Sequence, residues 1–108
     1  GRRDSTHHEI VETLEAVGAS VFDAADMGLG FPDLVVGYRG VTYLFEVKGP
    51  KGKLRASQLA FIRTWRGLPV TVMRTPGEAL RAVGLPDAAA QWETRCLMSP
   101  GARRSPRP

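Results

Sequence analysis

Asp33, Glu46 and Lys48 bring two carboxylates and a primary amine close together in the chain. Two carboxylates with an adjoining backbone carbonyl make a hard oxygen site suited to Mg²⁺ or Mn²⁺. A lysine beside such an ion can position an attacking water, or steady the charge that builds on a phosphate. The chemistry these residues point to is metal-assisted hydrolysis at phosphorus.

The three groups meet only if the chain folds back between them. Leu34-Val35-Val36 and Thr42 to Val47 read as two strands joined by a tight turn at Tyr38-Arg39-Gly40. Asp33 opens the first strand, and Glu46 with Lys48 lies at the far end of the second. Antiparallel pairing therefore sets the two carboxylates side by side. Alternation places Glu46 and Lys48 on one face, with Val47 turned away.

Around this hairpin the pattern is helical and extended by turns. Apolar residues at Ile10, Val11, Leu14 and Val17 follow Asp4-Ser5-Thr6 and stop at Gly18, predicting a first helix. Ala19 to Phe22 is a short strand, and Asp26 to Phe31 a Gly-rich loop leading to Pro32-Asp33. Beyond Gly49-Pro50-Lys51-Gly52-Lys53, a second helix carries Leu59, Phe61, Ile62 and Trp65 and closes at Gly67. Pro69 to Met73 is another strand. Thr75-Pro76-Gly77-Glu78 combines a capping threonine, a proline at the first helical position and a glutamate three residues after the cap, which starts a third helix running to Gly84. The order helix, strand, strand, strand, helix, strand, helix predicts an α/β fold with a mixed sheet between helices. It assigns residues 1–86 to one domain, 87–98 to a helical extension carrying Trp92 and Leu97, and 99–108 to a mobile basic Pro/Arg tail.

Composition narrows the class. The chain has 108 residues, 43% of them hydrophobic and 24% charged, which fits one folded domain. No stretch reaches the length of a membrane span, and the start lacks the apolar core of a secretory signal, so a cytosolic location is the expectation. Cys96 is the sole cysteine, which leaves no intrachain disulfide and no thiolate cluster. The net charge is +4, but its distribution says more. Lys48, Lys51, Lys53, Arg55, Arg63, Arg66 and Arg74 lie between Glu46 and Glu78 with no acid among them, whereas most acids fall at or before Glu46. Such segregation fits a phosphate-binding rim beside an acidic pocket, and equally a solvated basic face.

Gly30-Phe31-Pro32-Asp33, followed after a hairpin by Glu46-Val47-Lys48-Gly49, resembles the bipartite signature of the PD-(D/E)XK nuclease superfamily. The continuation through Pro50, with Leu54 and then Gln58 opening a helix, resembles its VRR-NUC branch of phages and bacteria; the likeness covers roughly residues 3–85. The resemblance implies a restriction-endonuclease-like core and Mg²⁺-dependent hydrolysis of DNA, with Mn²⁺ able to substitute. On this likeness Asp33 and Glu46 are metal ligands, the Val47 carbonyl a third, and Lys48 the catalytic lysine. Glu9 corresponds to the upstream acid and Gln58 to the polar residue opening the second helix, while Lys51, Lys53, Arg55, Arg63 and Arg66 supply a DNA-binding rim. Phage relatives suggest branched substrates such as four-way junctions and a homodimer making paired cuts. A nicking or flap nuclease on linear DNA, and a non-catalytic DNA-binding module of the same fold, are the alternatives.

Each assignment has a plainer rival. Thr6-x-x-Glu9 is also a capping box, in which glutamate only bonds the helix start, and Glu12 lies opposite the apolar face. Arg55 stands where related chains offer a capping Ser or Thr, which bears on the aim of Gln58. His7-His8 point about 100° apart on a helix and suit solvent better than a shared ligand. Gly28-x-Gly30 is best read as close backbone packing near Asp33. Phe61 and Trp65 sit at core spacing, which predicts burial rather than base stacking. Asp23 and Asp26 read as turn or surface residues. Glu46 and Lys48 could be a same-face ion pair and Asp33 a turn residue, although burying a glutamate between Phe45 and Val47 without use would be costly.

Overall fold

A computed structural model describes residues 5–98; the basic tail expected at 99–108 lies outside them. The elements are α1 (Ser5–Ala16), β1 (Ser20–Asp23), β2 (Leu34–Tyr38), β3 (Val41–Val47), α2 (Ala56–Thr64), β4 (Thr71–Met73), α3 (Pro76–Ala82) and α4 (Pro86–Met98). They form an α/β domain with one mixed sheet in the order β1-β2-β3-β4, flanked by helices. β1 pairs with β2 and β2 with β3 antiparallel, and β4 returns parallel to β3 after α2.

The β2–β3 hairpin sets the register on which the site depends. Arg39 and Gly40 both take positive φ (51° and 82°), the geometry of a two-residue turn whose twist matches the strands it joins. Val36 then faces Tyr43, and Leu34 faces Phe45. Alternation sends Leu34, Val36, Phe45 and Val47 into a core closed by Ile10 and Leu14 of α1, Met73 of β4, Ala79 of α3 and Val83 at the end of that helix. Residues 33, 35, 44 and 46 belong to the opposite face.

Thr75 caps α3 as its sequence indicates, its hydroxyl accepting from the Glu78 N–H at 3.1 Å. The reciprocal bond of a capping box is displaced by one residue: Glu78 accepts from the Arg74 N–H at 2.5 Å. The helix expected at 87–98 is α4, which buries Ala89 and joins α3 through the Arg81–Glu93 ion pair at 2.6 Å. Among the described residues no helix is long and apolar enough to cross a membrane.

Two helical expectations need correction. α2 ends at Thr64, and the only side chain it buries is Gln58; Trp65 is 44% exposed rather than part of the core. Helical spacing fixes which residues share a face, but among the described residues Phe61 is only partly covered, by Phe31 and Trp65, and Trp65 stays exposed. In α1, His7 is buried rather than in solvent, because its Nε2 meets Asp23 Oδ2 at 3.1 Å at the end of β1. His8 does face solvent, paired with Glu12 at 3.0 Å. Ser5 is already helical, so Thr6 lies inside α1 and does not head a capping box with Glu9.

Candidate active site

One step beyond the Leu34–Phe45 pair, Asp33 stands opposite Glu46. The Val47 N–H points toward β2, donating to Asp33 Oδ2 at 2.9 Å. Continued by one step, the register would make Asp33 and Glu46 a non-hydrogen-bonded antiparallel pair, the kind that brings side chains closest. From the other side Asp33 is fixed by its own carbonyl, which accepts from the Ala24 N–H at 2.7 Å.

The Val47 N–H is directed toward β2, and N–H and C=O of one strand residue face the same side, so the Val47 carbonyl also looks toward β2, beside two carboxylates. That all-oxygen donor set fits a small hard cation such as Mg²⁺.

Glu46 is 2% exposed. Its Oε2 accepts from Gln58 Nε2 at 2.6 Å and lies 3.5 Å from Lys48 Nζ. Gln58 Oε1 in turn accepts from Lys48 Nζ at 3.0 Å and from the Arg55 N–H at 2.7 Å. One amide therefore holds both Glu46 and Lys48 at the end of β3 and caps the helix that carries it, which is why α2 starts correctly behind Arg55 without a Ser or Thr. Burial first, and the Asp33 charge second, push the Glu46 carboxyl from an ordinary 4.5 up to about 7, although Lys48 pulls it the other way. Desolvation and the Asp33 charge together outweigh the attraction of Lys48.

Two loops complete the frame. Gly30 has φ of +80°, and a Cβ there would come within 2.1 Å of the Ser57 carbonyl oxygen. Only glycine lets the loop before Asp33 lie directly on the first turn of α2. Past Lys48, Arg74 Nη1 donates to the carbonyls of Gly49 and Gly52 at 2.6 and 2.9 Å, tying down the loop that bears Lys51 and Lys53. Sequence reading passed over this role of Arg74. The signal was its place just after β4, whose parallel register puts it beside the residues following Lys48.

The structure thus brings Asp33, Glu46, Val47, Lys48 and Gln58 together. Glu9 sits on α1, which packs against the core side of the sheet; among the described residues no three His, Cys, Asp or Glu side chains are grouped to hold one ion. Lys51, Lys53, Arg55, Arg63 and Arg66 are all exposed, and none forms an ion pair among the described residues. Asp23 is partnered by His7 and also accepts from the Ala25 N–H at 3.0 Å. No protein-family model matches this chain, and no curated protein or solved structure does so either.

Proposed function

We propose that this chain is a Mg²⁺-dependent endodeoxyribonuclease with a restriction-endonuclease-like core of the PD-(D/E)XK, VRR-NUC type. The observation that carries the reading is the buried Glu46, opposed by Asp33 and bridged through Gln58 to Lys48. Asp33, Glu46 and the Val47 carbonyl would hold the cation, for which Mn²⁺ can substitute. When bound, the cation supplies a Lewis acid and a more acidic water. Asp33 keeps one oxygen on the Val47 N–H and leaves the other for a ligand. Gln58 fixes the rotamer of Glu46 and the position of the Lys48 ammonium, so that the amine meets the water or the phosphate oxygen in a set place. The exposed Lys51, Lys53, Arg55, Arg63 and Arg66 receive the phosphate backbone.

Branched DNA, four-way junctions in particular, is the substrate we favour, acted on by a homodimer whose two sites make paired cuts. The test incubates the protein with a labelled four-way junction and a matched linear duplex, in Mg²⁺, in Mn²⁺ and in chelator, beside Glu46→Ala. Metal-dependent paired cuts in the junction, lost in the variant, support the proposal. Equal cutting of both DNAs favours a nicking or general nuclease. Tight binding without cleavage in either metal leaves a DNA-binding module.

A further inference from the structure

Beside this site lies an aromatic stack that the core does not use. Phe61 is one helical turn beyond Gln58, and its ring lies nearly parallel to Trp65, with centroids 5.3 Å apart and planes at 16°. Phe31, two residues before Asp33, meets Phe61 edge-on at 5.4 Å. Gly67 closes on the indole, since a Cβ there would come within 2.8 Å of Trp65 Nε1. Trp65 is therefore held in place without a ligand, yet 44% of it stays exposed. Arg63 and Arg66, both exposed, flank it.

We infer that Trp65, braced by Phe61, is a stacking platform for an unpaired base of the DNA strand, with Arg63 and Arg66 receiving the flanking phosphates. This rests on the nuclease reading and narrows its substrate to DNA that offers an unpaired nucleotide beside the scissile phosphate. Three features favour that occupant. An aromatic face framed by arginines matches a strand of alternating flat rings and anions. In an intact duplex the base faces are already stacked, so only an unpaired base can use the indole. A two-fold contact between copies centred on Trp65 would press Arg63 and Arg66 against their own mates, with no acid between Glu46 and Glu78 to offset them.

The test measures binding in chelator, so it does not depend on cleavage. In a Trp92→Phe background Trp65 is the only tryptophan. Its fluorescence is followed as an oligo-dT strand, or a duplex of equal length, is added. The single strand quenches Trp65 and the duplex does not. Trp65→Leu, which keeps apolar bulk, lowers single-strand affinity about 5- to 150-fold with little effect on duplex, and Trp65→Phe restores most of it. Trp65 emission unchanged when the strand is bound overturns the inference, as does equal weakening of strand and duplex by Trp65→Leu. So does a dimer that Trp65→Leu dissociates while strand affinity holds, which assigns the face to a second copy. Strand-specific quenching in a protein that cuts nothing in either metal keeps the platform and discards the nuclease.

Discussion

Gln58 Nε2 donates to Glu46 Oε2 at 2.6 Å while Gln58 Oε1 accepts from Lys48 Nζ at 3.0 Å, so a single amide sets the distance between the acid near the end of β3 and the amine just beyond it. Gln58→Ala removes both bonds and the bond to the Arg55 N–H. We expect a loss of about 1–3 kcal/mol in urea unfolding, since a buried carboxyl loses its closest hydrogen-bond donor. Metal-dependent cleavage should fall about 10- to 100-fold, chiefly in kcat. Gln58→Glu, which sets a second acid against Glu46, should move the cleavage pH profile upward.

The raised Glu46 acid makes stability pH-dependent. The folded chain binds this proton more tightly than the unfolded chain, so the contribution favours folding below about pH 4.5 and is lost as the pH rises toward 7. The rise corresponds to about 3 kcal/mol at most. In chelator, the difference in unfolding free energy between wild type and Glu46→Gln should follow that slope between pH 4.5 and about 7, the unfolded and folded values. Mg²⁺ should bind more tightly as the pH rises through the same window, because the ligand must be ionised.

Gly30 and Gly40 separate two costs. Both have positive φ, but a Cβ on Gly40 meets nothing within 4 Å, whereas on Gly30 it meets the Ser57 carbonyl. Gly40→Ala should cost about 1–2 kcal/mol. Gly30→Ala should cost more than about 3 kcal/mol and disconnect Asp33 from α2. Thermal unfolding of the two variants checks the difference.

Arg74→Ala should release the loop after Lys48. Trypsin should then cut faster at Lys51 and Lys53, with α3 still folded by circular dichroism. Replacing Lys51 or Lys53 by Ala should each reduce the salt dependence of DNA binding by about one unit of slope.

What could be read from the sequence was local. The Asp33–Glu46 pairing follows from a two-residue turn and a period of two, both written within the hairpin itself. The burial of His7 was hidden because its partner, Asp23, belongs to a different element and no spacing links them. Phe61 and Trp65 were misplaced for a related reason: periodicity identifies a face, and only the packed fold says whether that face is covered. Gln58 was marked by resemblance alone, and its second task as the cap of its own helix emerges only when Arg55 proves to lack one.

α2 is attached to the sheet through one fully enclosed side chain, and that side chain belongs to the site. In hydrogen-exchange terms this makes the helix a separate unit, able to open while the β2–β3 core stays closed. Each opening takes the amide from Glu46 and Lys48 together, so the grouping exists only in the closed fraction of molecules. A ligand that bridges Glu46 and α2 should slow exchange along the whole helix, including amides far from any bond it makes, and the depth of that protection reports how often the free protein takes this grouping apart.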